Sequence, residues 1–255
     1  MGPSSTIPLK TYIHLPADPL ARSQVLESLW KPKMDASLRF MTERMRFLDL
    51  RYEHSQSDVF RLPNGDVVYV GCDVVPFTTG HSVKQVFDAF KVFILSQEIT
   101  ISERLGVLTI RENEDLEGFQ YGQSRFLSSV PGVSSVHVES NSAMFATFVE
   151  ASDDGASPAY AVAAMDYVDI DELYPYRAES CARREMTTAI TFTETLTEDR
   201  GRIVTLCKWG YIRLRMPETR LTEAEADAVR GSLAGLSHIM DKVIRERLAL
   251  ETPAP

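Results

Sequence analysis

Residues 186–196, MTTAITFTETL, alternate between mainly apolar and mainly polar side chains. Ile190 and Phe192 fall on one face of this stretch, and Thr191 and Thr193 fall on the other. A period of two residues is typical of a strand that buries one face. Because one-sided burial is common in antiparallel sheets and rare in parallel ones, the stretch predicts an antiparallel sheet with one apolar side.

Further strand-like stretches surround this one and are separated by turn residues such as Pro131-Gly132. They cover residues 99–110, 119–130, 133–139, 143–150, 160–170 and 203–216. Earlier in the chain, Pro63-Asn64-Gly65-Asp66 separates two apolar runs, and Asn-Gly supplies the positive φ angles of a tight hairpin. The sequence therefore predicts a hairpin followed by a long antiparallel meander.

Helical spacing occurs in three places. Residues 20–30 predict a short docking helix that Pro32 ends, and residues 46–52 are interpreted as a strand. Residues 83–94 predict an amphipathic helix. Residues 222–248 predict one long C-terminal helix with a single apolar stripe, which consists of Val229, Leu233, Leu236, Met240 and Val243. Since strands and helices do not alternate, we expect an α+β fold in which a curved antiparallel sheet wraps around that helix.

This order of elements resembles the START-like, or pollen-allergen-like, superfamily with its helix-grip fold. Residues 167–177, YVDIDELYPYR, followed by Arg183 and Arg184, are similar to a START-like family of oomycetes that includes mating-specific proteins. The resemblance implies a pocket for a lipid, a sterol or another apolar molecule between the sheet and the C-terminal helix. It also implies an N-terminal arm with a docking helix over residues 1–36, a START-like domain over 37–250 and a disordered tail over 251–255.

Composition limits the compartment and the partners. The 255 residues are 44% hydrophobic, carry a formal net charge of -9 and contain no run of about 20 apolar residues, so we expect neither a membrane helix nor a nucleic-acid partner. Cys72, Cys181 and Cys207 form no CxxC motif. The chain is therefore expected in a reducing compartment, the cytoplasm or alternatively the nucleus.

Catalytic motifs are not apparent. Residues 122–126, GQSRF, begin like a nucleophile elbow but lack its second glycine, and the five histidines never stand four residues apart. We therefore nominate no catalytic residue, no cofactor and no metal ligand. An enzyme of the same fold, such as a cyclase or hydrolase, stays open as the less favoured alternative.

An acidic cluster consists of Asp166, Asp169, Asp171 and Glu172. Its oxygens could hold a hard cation, but the cluster lacks the glycine and the regular spacing of a calcium loop. We favour a second interpretation, in which these carboxylates pair with the nearby arginines, namely Arg177, Arg183 and Arg184.

Two charged residues fall on apolar strand faces. Asp166 shares a face with Val162 and Ala164, and Lys208 shares one with Leu206 and Ile212 unless Gly210 forms a bulge that shifts the register. The bulge is the simpler interpretation for Lys208. The alternative is that Asp166 and Lys208 are buried polar anchors that orient an apolar ligand.

The sequence favours a non-enzymatic binder of a lipid, sterol or other apolar small molecule. Its pocket residues are expected to be Ile190, Phe192, Trp209, Leu233, Leu236 and Met240, with Asp166 and Lys208 as polar anchors. The main alternative is a ligand-free interaction module whose cavity is filled by side chains, and an enclosed space below about 300 Å³ would favour it. Transient membrane contact and a protein partner stay open.

If the acidic cluster holds no divalent ion, thermal unfolding should not respond to metal. Neither EDTA nor millimolar calcium should move the unfolding midpoint, because only an ion bound to the folded state stabilises it by mass action. A calcium-dependent rise in the midpoint, measured by differential scanning calorimetry, would contradict this expectation.

Overall fold

The computed structural model describes residues 7–78, 80–154, 156–197, 201–233 and 236–251. Within these residues the chain forms ten strands and five helices. In chain order they are β1 (His14–Leu15), α1 (Pro19–Met45), β2 (His54–Arg61), β3 (Val67–Phe77), α2 (Val83–Leu95), α3 (Gln97–Leu105), β4 (Thr109–Glu117), β5 (Tyr121–Val130), β6 (Val133–Val149), β7 (Tyr160–Tyr167), β8 (Ile170–Asp171), β9 (Cys181–Thr197), β10 (Gly201–Arg215), α4 (Glu223–Gly231) and α5 (Leu236–Glu251).

Eight strands form one curved sheet in the order β2-β3-β10-β9-β7-β6-β5-β4, and neighbours in this order pair antiparallel. The start of β6 also pairs in parallel with the start of β9, through His137–Glu139 and Cys181–Arg183. Strand β7 then separates the two, so β6 and β9 diverge after residues 139 and 183. The predicted α+β class with an antiparallel sheet is confirmed.

One face of the sheet packs against α2 and α5. Phe87 and Phe90 of α2, together with Ile244 and Leu248 of α5, bury the apolar face of β9 around Phe192. The amphipathic helix predicted at residues 83–94 is confirmed as α2, which begins with a capping box between Ser82 and Gln85. The hairpin at residues 63–66 is also confirmed, with Gly65 at a φ of 88° between β2 and β3.

The opposite face packs against α1, and here two predictions are wrong. The helix does not end at Pro32 but continues from Pro19 to Met45, and residues 46–52 form turns instead of a strand. A proline inside a helix costs about 3 kcal/mol. The helix continues because it buries side chains on both sides of the proline, Leu26 before it and Met34 and Met41 after it, and tertiary packing outweighs local propensity.

The predicted single C-terminal helix is two helices in the described residues. Helix α4 ends at Gly231, and Ser232 and Leu233 form a turn before α5. The apolar stripe is therefore divided. Val229 and Leu233 pack near Leu214, whereas Met240 and Val243 join the cluster around Phe192. Glycine disfavours a helix by about 1 kcal/mol relative to alanine, which is consistent with a break at Gly231.

Three of the predicted strand stretches also differ. Residues 97–105 form α3 before β4 begins at Thr109, and the stretches 133–139 and 143–150 belong to one 17-residue strand, β6. Helix α3 is only nine residues long and buries only Thr100 and Ile101. Such a short apolar pattern does not separate a helix from a strand. The tail expected over residues 251–255 lies outside the described residues from residue 252 onward.

None of the described helices, including the 27-residue α1, is both long enough and apolar enough to cross a membrane.

Phe192 lies at the centre of the main core, with its ring centroid 5.5 Å from that of Phe87 and 5.4 Å from that of Phe90. Phe192→Ala should lower the free energy of unfolding by about 3–5 kcal/mol, because it removes buried area and leaves a cavity. Phe60→Ala on the exposed face of β2 is the matched control and should change it by less than about 0.5 kcal/mol. Equal effects of the two variants in urea unfolding would contradict this placement of the core.

Candidate functional site

A cavity of about 150 Å³, partly open to solvent, lies between the sheet and helices α2, α3 and α5. The helices contribute Phe93, Ile94, Gln97, Ile101, Ile239 and Met240. The sheet contributes Tyr69, Gly71, Asp73, Ser124, Phe126, Ser140, Ser142, Met144, Met165, Arg184, Met186, Thr188, Ile190, Lys208, Trp209, Gly210 and Ile212. The walls combine aliphatic and aromatic side chains with a few hydroxyl and charged groups, which is typical of small-molecule sites.

One glycine of a cross-strand pair leaves open space in this cavity. Gly71 of β3 and Gly210 of β10 are direct cross-strand partners, and both border the cavity. The ring of Tyr69 occupies the space above Gly71, where an added Cβ would lie 2.2 Å from the Tyr69 hydroxyl oxygen. At Gly210 the nearest atom to an added Cβ is Thr188 Cγ2, at 3.6 Å. A side chain would therefore fit at Gly210, whereas Tyr69 already fills the corresponding space at Gly71.

The predicted bulge at Gly210 is wrong. Pairing of β10 with both β3 and β9 continues through Gly210 without a register shift. Lys208 therefore stays on the same face as Leu206 and Ile212, and it reaches the cavity. Its Nζ lies 2.7 Å from Asp241 Oδ2 of α5 and 3.5 Å from Asp73 Oδ2 of β3. Two carboxylates thus compensate the charge of Lys208, which connects α5 to the sheet.

The other candidate pocket residues are dispersed. Ile190 and Met240 line the cavity, whereas Phe192 is buried beside it among Phe87 and Phe90 and is not a lining residue. Trp209 borders the cavity, but its ring packs on the other face of the sheet, 5.0 Å from the ring of Phe40 in α1.

Of the three candidates from the C-terminal stripe, Met240 lines the cavity, and the other two contribute no described cavity contact. Leu233 packs with the cluster around Leu214, away from the lining residues. The side chain of Leu236 lies outside the described residues.

Asp166 is fully buried, but on the face opposite the cavity. It accepts hydrogen bonds from Lys33 Nζ of α1 and, at 3.0 Å, from the backbone N–H of Thr11. Burial raises the pKa of Asp166 and lowers the pKa of Lys33, since both charges are removed from water, and their mutual attraction opposes both shifts. The partner of the buried Asp166 carboxylate is therefore Lys33 of this chain, and the pair holds α1 on the sheet.

The rest of the acidic cluster also binds the N-terminal segment. Lys10 Nζ lies 2.6 Å from Asp169 Oδ2, Arg22 Nη1 lies 2.8 Å from Asp171 Oδ1, and His14 Nε2 lies 2.9 Å from Glu172 Oε1. The predicted pairing with Arg177, Arg183 and Arg184 is therefore wrong. Arg183 instead donates to the carbonyl oxygen of Val168, and its Nε lies 4.0 Å from a carboxylate oxygen of Glu185. Within the described part of the chain, no three or more His, Cys, Asp or Glu side chains are arranged to hold a metal ion.

Asp171 is the centre of a buried polar network. Besides Arg22, it accepts hydrogen bonds from Gln123 Nε2 at 2.7 Å and from Asn141 Nδ2 at 2.8 Å. Burial alone would raise the pKa of Asp171 and is the largest single influence, but the hydrogen bonds from Arg22 and Asn141 together keep this pKa below its ordinary value. The carboxylate is therefore ionised at neutral pH and fully hydrogen-bonded.

Arg184 is the lining residue whose role the sequence did not reveal. From sequence alone, Arg184 is expected to pair with the acidic cluster, as Arg183 is. Alternation along β9 instead places Arg184 on the same face as Met186 and Ile190. Only 7% of its surface is exposed. The alternation of residues 184–190 was the available signal, but an arginine beside a polar turn is ordinarily exposed.

No family model and no curated protein matches this sequence. Among solved structures, the chain is similar to the Zhui aromatase/cyclase from Streptomyces sp. R1128, with 12% identity and a TM-score of 0.37 over 78% of this chain and 97% of that one. A conserved protein from Geobacillus kaustophilus has 10% identity and a TM-score of 0.33, over 71% and 95% of the two chains. A Staphylococcus aureus protein of unknown function has 13% identity and a TM-score of 0.31, over 77% and 98%. Likenesses this weak carry no argument about function.

The pair formed by Lys33 and Asp166 generates a stability prediction. Lys33→Met should lower the free energy of unfolding by about 3–5 kcal/mol, because it leaves a buried carboxylate without its counter-charge. Combining it with Asp166→Leu should recover most of that loss, since an apolar pair of similar volume avoids the desolvation cost. Urea unfolding of the three variants measures both effects.

Lys84→Met is the control, because Lys84 pairs with Asp88 on the exposed side of α2. It should leave the unfolding midpoint almost unchanged. A single Lys33→Met variant as stable as this control would show that the buried pair does not hold α1.

Proposed function

We propose that this protein binds a small apolar molecule, or the apolar end of a larger one, in the cavity beneath α5, and that it does so without catalysing a reaction. The observation that carries the proposal is Gly210, whose missing side chain leaves space in an apolar sheet face that is otherwise closely packed. The START-like resemblance and the lipid or sterol class belong to the same proposal.

The size of the cavity limits the ligand. A volume of about 150 Å³ is near that of engineered cavities that bind benzene, and it is below the roughly 300–1,000 Å³ of typical ligand pockets. A single ring or a short alkyl chain is therefore the part of the ligand that the cavity encloses. A whole sterol would require α3 or α5 to move outward.

The state of two ionisable side chains, Lys208 and Cys207, favours binding over catalysis. Lys208 is held between Asp73 and Asp241, so its ammonium group is engaged by carboxylates of this chain. Burial raises the pKa of Cys207 to about 12, and this thiol is therefore protonated at neutral pH and a poor nucleophile. Neither group is prepared for the acid–base or nucleophilic step that a cyclase or hydrolase needs.

One observation favours the second candidate, a ligand-free interaction module. The cavity volume is below about 300 Å³, the value under which an interaction module is favoured over a ligand binder. In addition, Tyr69 already occupies the space above Gly71. In that case the lining side chains fill the space, and the wild-type protein takes up no apolar probe.

Gly210→Leu tests the proposal, because it adds a side chain to the cavity without removing one. The wild type should bind the neutral fluorescent probe N-phenyl-1-naphthylamine with micromolar affinity, and Gly210→Leu should weaken binding at least tenfold. The circular dichroism spectrum should be unchanged, since a Cβ at this position meets only ordinary van der Waals contact with Thr188.

Gly210→Ala is the matched control, since it has the same new Cβ but leaves most of the volume, and it should keep most of the affinity. Absence of uptake by the folded wild type, or equal uptake by Gly210→Leu, would contradict the cavity as the binding site and favour the interaction module.

A further inference from the structure

We infer that the ligand of this cavity carries a carboxylate head group and that the guanidinium of Arg184 binds it. The inference rests on the proposed binding function and specifies the class of ligand. Its basis is an asymmetry between two buried cations of the same cavity, Lys208 and Arg184, of which only the first has acidic partners among the described residues.

The two cations mark opposite ends of the cavity floor. Lys208 is the cross-strand partner of Ile190, and Arg184 is the partner of Leu214. Six residues of β9 separate Ile190 from Arg184, which corresponds to roughly 20 Å at about 3.3 Å per residue. Between them the floor is largely apolar, with Met186 and Ile212 among its residues. A short alkyl chain with one polar end, the part of a ligand that the cavity can enclose, fits this distribution.

The Lys208 end is electrically compensated. Its ammonium group contacts both Asp73 and Asp241, so an anion placed there would meet two carboxylates. Repulsion between these two carboxylates and a nearby anion disfavours an anionic head group at Lys208. The charged end of a ligand would therefore avoid Lys208.

The Arg184 end is not compensated. Within the described chain, the one hydrogen bond of this guanidinium is donated by Nη2 to the carbonyl oxygen of Ser232, at a long 3.4 Å, and its buried Nε has no hydrogen-bond partner. Burial lowers the pKa of Arg184 to about 10, which still leaves the group protonated at neutral pH. The carbonyl at the end of α4 supplies only a fraction of a negative charge. A full positive charge is thus buried beside the cavity, and no carboxylate of the described residues pairs with it.

Two hydroxyl groups of the cavity also have no hydrogen-bond partner among the described residues. Ser142 Oγ and Thr188 Oγ1 are buried, and both residues line the cavity. Thr188 is the cross-strand partner of Gly210 and lies nearer the Lys208 end. Ser140 lies next to Arg184 at the point where β6 and β9 separate, because the preceding residues Glu139 and Arg183 are paired. Buried polar atoms in native proteins are nearly always hydrogen-bonded, so a bound molecule would satisfy these groups.

A carboxylate matches this set of donors. Arginine presents two parallel N–H groups that bind the two oxygens of a carboxylate, and an ionic hydrogen bond in a water-poor site is about twice as strong as a neutral one. Ordered water is the competing occupant, because it would satisfy the hydroxyl groups without neutralising Arg184. The two occupants differ in one measurable property, which is the preference for an anionic ligand over a neutral one of the same shape.

Isothermal titration calorimetry with octanoate and 1-octanol measures this preference. The wild type should bind octanoate at least tenfold more tightly than 1-octanol. Arg184→Gln should abolish the preference by weakening octanoate binding, with the affinity for 1-octanol unchanged within about twofold. Arg184→Lys should retain part of the preference, since it keeps the charge but loses the two-pronged geometry. Arg215→Gln, which removes a partly exposed arginine outside the cavity lining, is the matched control and should behave like the wild type.

The outcomes separate this inference from the proposed function. Equal binding of octanoate and 1-octanol by the wild type would overturn the carboxylate and leave the apolar site intact. An unchanged preference in folded Arg184→Gln would overturn the role of Arg184. Binding of neither probe would overturn the proposed function and the inference together. If Arg184→Gln fails to fold, the ratio of the two wild-type affinities still decides whether the head group is anionic.

Discussion

Two buried ion pairs hold helix α1 against the sheet, and the arrangement of the remaining elements depends on them. Lys33 pairs with Asp166, and Arg22 pairs with Asp171, which is further bound by Gln123 and Asn141. Buried ion pairs of this kind add little net stability, but removing one partner is costly. They therefore specify where α1 lies and in which register it packs. With that face covered by α1, the cavity can form only on the face covered by α2, α3 and α5.

The cavity follows from a packing defect that the sheet tolerates. Protein interiors are usually filled to the density of organic crystals, and a gap of about 150 Å³ loses van der Waals contacts along its walls. Here the gap borders Gly210 of β10, which has no side chain, whereas the space at its cross-strand partner Gly71 is filled by the Tyr69 ring. Helix α5 closes the space from above, and Lys208 connects that helix to the sheet through Asp241. Lys208 and Asp241 therefore both hold α5 over the cavity and form one of its polar ends.

Charge is distributed unevenly between the two faces of the sheet. On the α1 face, Asp166, Asp169 and Asp171 each pair with a lysine or arginine from the N-terminal part of the chain, and Glu172 contacts His14. On the cavity face, Lys208 has two acidic partners, whereas Arg184 has none in the part of the chain that the structure describes. The overall negative charge of the chain does not reveal this local excess of positive charge, because the excess arises from burial and pairing and not from composition.

The sequence by itself determined the antiparallel sheet, the hairpin at residues 63–66, the helix that became α2, and the place of Asp166 on an apolar strand face, whereas the face of Lys208 was decided only by the unbroken register of β10. The features that the sequence determined depend on spacing between near neighbours, which periodicity records directly. Only the tertiary structure decided that Asp166 pairs with Lys33, 133 residues away, that α1 continues through Pro32, that the C-terminal stripe is divided between α4 and α5, and that Gly71 meets Gly210. Such features arise when distant segments pack together, and the free energy of that packing exceeds the local preferences that a sequence pattern expresses.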